Sequence, residues 1–149
     1  MDIKREKLNN AILFFAKKMY LTKTKLMKSL YELDFRHFRE TGKSVTGLKY
    51  YAWDKGPVPL EIFHKIKKDR SVTEDLTKYI KVIARQKGIK IIPKTEPNLK
   101  VFTKRTKGLN TEIDYLLSID ETALISIEEA RQNQTELKET EDFFHALCS

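Results

Sequence analysis

The chain has few of the residues and segments that cross-link, anchor or export a protein. Its 149 residues include one cysteine, Cys148, which excludes an intrachain disulfide and a cysteine-rich metal site and fits a reducing compartment. No stretch approaches the roughly 18 apolar residues that a membrane-spanning helix needs. The apolar run at residues 11–16 is short and is followed by two lysines, which argues against a signal peptide. We therefore expect a cytoplasmic protein without a membrane partner.

The sequence also lacks recognisable catalytic and cofactor motifs. It contains no glycine-rich phosphate loop, no His-Glu-x-x-His and no Gly-x-Ser-x-Gly. Its three histidines have no ligand-like spacing, and its paired carboxylates are adjacent in sequence, so they do not share a helix face as an acid–base pair would. We therefore predict a protein that is not an enzyme and that needs no metal or cofactor.

The net charge of +8 conceals two oppositely charged parts. Residues 1–107 contain 27 Lys/Arg and 11 Asp/Glu, whereas residues 108–149 contain 2 Lys/Arg and 10 Asp/Glu. Either the acidic part docks on the basic part of the same chain, or the basic surface meets an acidic partner, which is nucleic acid or protein. The sequence leaves both readings open. Within the acidic part, Asp120 and Thr135 are the expected N-caps of the last two helices.

The apolar residues predict one mainly α-helical domain that spans residues 1–149. An apolar fraction of 40% in a chain of this length is enough for one core. A first helix follows Asp2, and a second begins at Thr22 or Thr24 and ends at Gly42. The second helix has two adjacent apolar stripes, which predicts a central helix that contacts several others. The stripes are Leu26, Leu30, Leu33 and His37, and Met27, Tyr31, Asp34 and Phe38.

The remaining pattern predicts further helices and a small β element. A third helix starts at Pro59, and a fourth opens with a capping box and runs over residues 71–88. Short strands are predicted at residues 89–92 and 99–103, and helices follow over residues 108–149. The prediction amounts to a compact domain of about six to seven helices with a two- to three-stranded antiparallel β element.

The stretch between the second and third helices holds the only tryptophan and most of the turn residues. Residues 48–53 are short, aromatic and alternating, which predicts an extended segment. Residues 54–57 predict a turn, because glycine allows a positive φ and proline fixes its own φ. Asp34 lies in an apolar stripe, where a carboxylate is costly unless it is hydrogen-bonded. We expect it to accept hydrogen bonds from the turn region, from Tyr50 or from Trp53.

A ligand-binding or catalytic role for Asp34 is the less favoured alternative. His37 is expected to be a half-buried core residue rather than a metal ligand, because the other histidines lie at unrelated spacings.

Three segments follow one another in this part of the chain: LYELD at residues 30–34, TGKSVTG at 41–47 and YYAWDKGPVP at 50–59. Taken as a set, they give the chain a resemblance to the Panacea domain of SocA-like antitoxins, a family also described as phage-associated proteins. It is closest over residues 8–68. The acidic residues 108–149 diverge, because the Thr-His and Pro-Trp type motif of other members is missing there. The family's helical fold with a small β element agrees with the pattern described above.

The motif residues are expected mainly to hold the fold, and the exposed ones are candidates for partner contact. The family motif comprises Asp34, Gly47, Tyr50, Trp53, Gly56 and Pro57. The candidates for partner contact are Tyr51, Trp53 and Lys55, because aromatic side chains often dominate the energetics of interfaces.

The resemblance implies an antitoxin of a bacterial or phage toxin–antitoxin system, which binds and neutralises a co-encoded protein toxin. Related SocA proteins act as proteolytic adaptors that deliver the toxin to a ClpXP-type protease. Panacea antitoxins sit beside toxins of unrelated types, so the domain does not identify the toxin, and residues 108–149 are expected to choose the partner. A homodimer stays open.

Two other functions compete with this interpretation. The first is a DNA-binding transcriptional regulator that uses the lysine-rich end of the third helix, residues 65–70, and the hairpin at residues 89–103 as a winged module. Nucleic acid is the less favoured partner, because the third helix has no set of Asn or Gln residues for reading bases. The second is a toxin or phage effector with an enzymatic site of an unrecognised kind.

Overall fold

Two long helices pack against each other and supply nearly half of the buried apolar residues in the described part of the chain. The computed structural model describes residues 2–53, 56–86, 88–103, 111–121 and 124. Helix α1 (Ile3–Lys18) packs on helix α2 (Lys23–Thr41). Both apolar stripes of α2 are buried, apart from the partly buried Phe38. The sequence therefore identified α2 correctly as the central helix.

The ends of both helices are fixed by local hydrogen bonds that the sequence predicted. Asp2 caps α1 by accepting from the backbone N–H of Lys4 at 3.0 Å. Thr22 caps α2 by accepting from the N–H of Lys25 at 3.1 Å. Gly42 ends α2 in the left-handed region, at φ 76°, where a side chain is disfavoured.

Two small antiparallel hairpins and several short helices follow. Strand β1 (Tyr51–Trp53) pairs with β2 (Gly56–Val58), and β3 (Ile80–Arg85) pairs with β4 (Gly88–Pro93). The helices are α3 (Leu60–Lys65), α4 (Glu74–Thr77), a 3-10 helix (Leu99–Val101) and α5 (Glu112–Ser118). The described part of the chain thus has five α-helices, fewer than predicted, and two hairpins in place of one β element. Helix α2 contacts α1, β2, β4, α3 and α5.

The predicted fourth helix, over residues 71–88, is wrong. The helix ends at Thr77, and the chain continues as β3 with Ile80 and Val82 turned toward the opposite face from Lys81. The spacing of apolar residues fits a helix and a strand equally well here, and the pairing with β4 decides for the strand. Ser71 does not cap a helix, because its N–H and hydroxyl bond to Asp69 at 2.9 and 2.5 Å.

The predicted hairpin at residues 89–103 is also wrong. Its first strand is part of β4, but its partner is β3 rather than residues 99–103. The segment after Asn98 forms a 3-10 helix, because the Asn98 side chain caps the N–H of Lys100 at 3.1 Å. The third helix begins after Pro59 as predicted but ends at Lys65, and Ile66 then forms a β-bridge with Val72.

Helix α5 carries the first acidic residues of the C-terminal part and docks on the basic part of the chain. The Glu112 carboxylate is buried and lies 2.9 Å from Lys7 Nζ, and it also accepts from the N–H of Thr103. Glu121 pairs with Lys25 Nζ at 3.0 Å. For these two residues the intrachain reading of the charge asymmetry is confirmed.

Two further features complete the fold. Lys18 Nζ donates to the carbonyls of Leu117 and Ile119, at 2.7 and 3.0 Å, beside the C-terminal end of α5. Leu124 N–H donates to the Asp120 carbonyl at 3.1 Å, as expected for a helix that starts at Asp120. The helix predicted after Thr135 lies outside the described residues. Among the helices of the described part, none has the length and apolar character to cross a bilayer.

Candidate functional site

A buried carboxylate ties α2 to the loop that precedes the first hairpin. Asp34 is fully buried, and its Oδ1 accepts from the backbone N–H groups of Val45 and Thr46, at 2.8 and 2.9 Å. Its Oδ2 accepts from the Thr46 hydroxyl and from the Tyr50 hydroxyl, the latter at 2.5 Å. We call Asp34, Val45, Thr46 and Tyr50 the Asp34 cluster. Four donors satisfy this carboxylate. They come from the turn region and from Tyr50, as predicted, and Trp53 is not among them.

The loop of the Asp34 cluster depends on a glycine. Gly47 has a φ of 73°, and a Cβ built on it would lie 2.9 Å from Lys4 Cδ of α1. Its N–H donates to Ser44 Oγ at 3.1 Å, while Lys4 Nζ donates to the Ser44 carbonyl at 2.9 Å. A larger residue at position 47 would thus strain the backbone and displace the α1 lysine that holds this loop.

Burial shifts the pKa values of the two ionisable side chains in the Asp34 cluster. Desolvation raises the pKa of Asp34 above its ordinary value, although its bonds to Thr46, Tyr50 and Val45 act in the opposite direction. Desolvation, the Asp34 charge and the hydrogen bond to Asp34 together raise the pKa of Tyr50 well above its ordinary value. A phenol that is held protonated beside a satisfied carboxylate is a positioning device for the loop and a poor proton donor to a substrate.

His37 of α2 contacts the same loop. It is buried, and its Nδ1 lies 2.6 Å from the carbonyl of Lys43. Because a carbonyl only accepts, this contact places the proton on Nδ1. The ring also meets the edge of Tyr115, with centroids 5.5 Å apart. His37 is therefore a core residue, and within the described ranges no three His, Cys, Asp or Glu side chains are grouped as metal ligands.

The first hairpin presents aromatic side chains to solvent directly after the buried Tyr50. Tyr51 is 45% exposed and Trp53 is 44% exposed. Trp53 packs edge-to-face on Phe63 of α3, with centroids 4.9 Å apart. We call Tyr51, Trp53 and Phe63 the hairpin aromatic surface. It includes two of the three predicted contact residues, and the third, Lys55, lies outside the described residues.

Gly56 and Pro57 begin β2, the strand that leads toward α3. Gly56 has a φ of 116°, which a side chain would disfavour. Pro57 is buried opposite Ala52, and its missing N–H fits an antiparallel pair that exchanges no hydrogen bonds. The sequence predicted a turn over residues 54–57, but Gly56 and Pro57 are paired residues of β2.

Sequence reasoning missed a lysine that supports the hairpin aromatic surface. Lys23 Nζ lies 3.7 Å from the centre of the Phe63 ring and donates to the Ile66 carbonyl at 2.7 Å. Burial, and then the nearby charge of Lys68, lower the pKa of Lys23. No local sequence signal links residue 23 to residues 63 and 66, so only the tertiary structure reveals this cation–π contact.

Comparison with known proteins gives one match. The family model described as "Antitoxin SocA-like, Panacea domain" matches residues 26–142. No curated protein and no solved structure matches the chain. The match includes the Asp34 cluster and both hairpins. It also extends into the acidic part that had looked divergent, and it leaves out all of α1.

Proposed function

The chain belongs to the SocA-like antitoxin family with a Panacea domain, and from this premise we propose that it neutralises a co-encoded toxin by direct protein–protein binding. The observation that supports a contact role is the exposure of Tyr51 and Trp53 immediately beside a buried motif. Exposed aromatic residues on a defined scaffold are typical anchors of protein interfaces. We place this activity in the cytoplasm, in keeping with the single cysteine.

The surroundings of the hairpin aromatic surface reduce the entropic cost of binding. The chain enters β1 from the Asp34 cluster, and β2 is held by the buried Pro57 at its centre. Phe63 and the Lys23 ammonium support Trp53 from α3 and α2. Side chains that are already ordered lose less freedom when a partner binds, so more of the contact energy appears as affinity.

The proposal is tested by co-expression. Each gene product that is encoded next to this chain is expressed alone and then together with it, and growth is measured. We expect one neighbour to stop growth when expressed alone and to be tolerated when this chain is present. A purified complex of the two proteins would show that neutralisation occurs by binding.

Two results would contradict the proposal. If no neighbouring product is toxic and rescued, the chain is not the antitoxin of a co-encoded pair. If this chain itself stops growth, the toxin or effector interpretation takes its place.

We also propose that the chain acts as an adaptor that delivers its toxin to a ClpXP-type protease. This step is separable from binding. The half-life of the toxin is measured after translation is blocked, in cells with and without the protease. Adaptor function predicts a short half-life that needs both this chain and the protease. A long-lived, inactive complex would leave neutralisation intact and remove the adaptor role.

We further infer that residues 1–149 form one domain and that the acidic part, residues 108–149, chooses the partner. The ion pair between the partly buried Lys7 and the buried Glu112 supports the first point, since it joins α1 to the start of the acidic part. Limited proteolysis tests it, because one domain resists cleavage between Thr103 and α5. Exchange of residues 108–149 with those of another family member tests partner choice through the toxin that is rescued.

DNA binding is the second candidate, and the structure changes which elements could form the basic surface. Helix α3 has only six residues, so residues 65–70 are not the end of a recognition helix. The basic hairpin is β3–β4, because residues 78–94 contain six Lys/Arg and no Asp/Glu. Binding through phosphates would weaken steeply as salt is raised. A gel shift at low salt tests this candidate, and the absence of a shift would remove it.

A further inference from the structure

The two edges of the β3–β4 hairpin differ in the partners of their outward-facing backbone groups. In an antiparallel pair, alternate residues point their main-chain groups toward the partner strand and away from it. On β4 the outward N–H of Ile91 donates to the carbonyl of Leu21 at 2.8 Å. Pro93, two residues later, has no N–H to satisfy. The outer edge of β4 is therefore covered by the α1–α2 linker at Ile91 and lacks a donor at Pro93, while its outward N–H on Ile89 has no hydrogen-bond partner among the described residues.

Among the described residues, none covers the outer edge of β3 in this way. Val82 pairs with Ile91, and Ala84 pairs with Ile89. Since Ile91 turns its N–H outward, its partner Val82 does the same, and Ala84 follows two residues along the strand. Among the described residues, no hydrogen bond joins these outward N–H groups or the Val82 carbonyl to another element. Within the same described ranges, the Ala84 carbonyl accepts from the guanidinium of the adjacent Arg85, at 3.2 Å, and from no other element.

The sequence of β3 leaves this edge open to pairing. Natural proteins protect edge strands with a central charge, a proline, a bulge or a covering segment. The middle of β3 is Val82, Ile83 and Ala84, and its six-residue register with β4 is unbroken. Its charges, Lys81 and Arg85, stand at the two ends. An edge strand of this length with an uncharged centre and no bulge is a template for another strand.

The flanking charges determine what kind of strand fits. Lys81, Ile83 and Arg85 share one face of the hairpin, because side chains alternate along a strand. Opposite side chains on neighbouring strands lie about 5 Å apart, close enough for charges to attract. An incoming strand that places acidic, apolar and acidic side chains at alternate positions on that face would match all three. The surrounding residues 78–94 add to the attraction, with six Lys/Arg and no Asp/Glu.

We propose that the outer edge of β3 is a docking site for an extended acidic segment of a protein partner, which adds to the hairpin as a third strand. The recognised pattern is acidic-x-apolar-x-acidic, with neutral residues at x. Backbone hydrogen bonds to Val82 and Ala84 provide the affinity, and Lys81 and Arg85 select acidic over basic strands. The site uses none of the residues of the hairpin aromatic surface, so it stands or falls independently of the proposed toxin contact.

The test uses the full chain and a blocked peptide, Ser-Glu-Thr-Val-Thr-Glu-Ser, with the same peptide carrying Lys in place of Glu as its control. Binding is followed by NMR titration of the 15N-labelled protein and by hydrogen exchange of its amides. We expect saturable binding of the acidic peptide, with the largest shifts in β3. At saturation, exchange of the Val82 and Ala84 amides should slow at least tenfold, and the basic peptide should bind at least tenfold more weakly.

Two variants separate backbone pairing from charge attraction. Ala84→Pro removes an N–H that the fold does not use and should weaken binding at least tenfold, whereas Ala84→Ser keeps the N–H and should bind as the parent does. The double variant Lys81→Glu, Arg85→Glu should reverse the preference between the two peptides. Melting curves establish that each variant is folded. If Ala84→Pro does not fold, the charge reversal and the exchange data decide the question.

Each alternative occupant has its own signature, and any of them would overturn the proposal. Equal binding by Ala84→Pro would show that only charge attracts the peptide. Shifts outside β3, or no saturable binding, would show that the edge is not a docking site. Slow exchange of Val82 without peptide, together with a concentration-dependent dimer in sedimentation, would assign the edge to a second copy. Stronger competition by a single-stranded oligonucleotide than by the acidic peptide would assign it to nucleic acid.

Discussion

Tyr50 and Tyr51 are neighbours in the sequence, but they have opposite environments in the structure. Tyr50 is fully buried and donates to Asp34 at 2.5 Å, whereas Tyr51 is 45% exposed on the first hairpin. One belongs to the Asp34 cluster and the other to the hairpin aromatic surface. The contrast shows that a single stretch of sequence combines a buried side chain that holds the loop with a side chain that is exposed to solvent.

The two groups differ in what their loss would cost. Removing the acceptor of a buried donor lowers the free energy of unfolding by about 1–3 kcal/mol, because the donor is left without water or a protein partner. An exposed side chain that is removed generally changes stability by less than about 0.5 kcal/mol. Variants in the Asp34 cluster should therefore lower stability, and variants in the hairpin aromatic surface should lower binding. The following predictions test this division, from the largest effect to the smallest.

Asp34→Ala should lower the free energy of unfolding by about 4 kcal/mol, because four donors lose their common acceptor at once. Urea denaturation followed by circular dichroism measures the loss. Asp34→Asn is the matched control and should cost less, since its amide oxygen still accepts from the N–H groups of Val45 and Thr46. Equal stability of Asp34→Ala and the parent would show that the cluster does not hold the loop.

Trp53→Ala should weaken toxin binding about 30-fold or more, which corresponds to a loss of about 2 kcal/mol at an interface hot spot. Its stability should fall by only about 1 kcal/mol, the scale of the lost ring contact with Phe63. Calorimetric titration with the purified toxin gives the affinity. Ile3→Ala, at a residue that is 53% exposed on α1, controls for loss of exposed apolar area. If both variants bind alike, the hairpin aromatic surface is not the contact.

The neighbouring tyrosines allow the sharpest comparison, because the same atom is removed from each. Tyr50→Phe should cost about 1–2 kcal/mol, since it removes a hydrogen bond to a buried carboxylate. Tyr51→Phe should change stability by less than about 0.5 kcal/mol. Urea denaturation of both variants at pH 7 measures the difference. A larger loss for Tyr51→Phe would reverse the assignment of the two residues.

The raised pKa of Tyr50 predicts a loss of stability in alkali. The unfolded chain ionises this phenol near pH 10, while the folded chain keeps it protonated. The folded state then binds more protons, so stability is complete below about pH 10 and falls above it, by up to about 1.4 kcal/mol per pH unit from this residue. In Tyr50→Phe this part of the slope should vanish. Urea denaturation at pH 9, 10 and 11 compares the two proteins, and parallel slopes would contradict the prediction.

Ser29→Ala should have the smallest effect. Ser29 is fully buried in α2, and no described residue accepts from or donates to its hydroxyl. Removal of an unsatisfied hydroxyl should leave stability within about 0.5 kcal/mol of the parent, or raise it. Thermal unfolding measures the change. A loss as large as that of Tyr50→Phe would show that the hydroxyl has a partner outside the described residues.

The sequence predicted the features that depend on neighbouring residues. The caps at Asp2, Thr22 and Gly42 follow from backbone geometry within one helical turn. The hydrogen bonds of Asp34 were predictable because a carboxylate in an apolar stripe needs donors, and a polar turn follows within a few residues. The resemblance to the family motif pointed to the same stretch independently of these local rules.

The features that the sequence did not predict depend on distant partners. Ile80–Arg85 fits a helix or a strand by spacing alone, and it becomes a strand because Gly88–Pro93 pairs with it. The cation–π contact of Lys23 with Phe63 joins residues on two separate helices. The docking of Glu112 on Lys7 brings together residues from opposite ends of the described chain. No periodicity along the sequence contains these pairings.

The short span of the Asp34 cluster has a consequence for the order of folding. Its hydrogen bonds close loops of 11 to 16 residues, whereas the Lys7–Glu112 pair closes a loop of 105. Loop closure for the longer span costs about 2 kcal/mol more entropy, and a loop of about ten residues closes within about 100 ns. Helix α2 and its loop are therefore expected in the transition state, before α5 docks. Tyr50→Phe should slow folding, and Glu112→Gln should mainly speed unfolding.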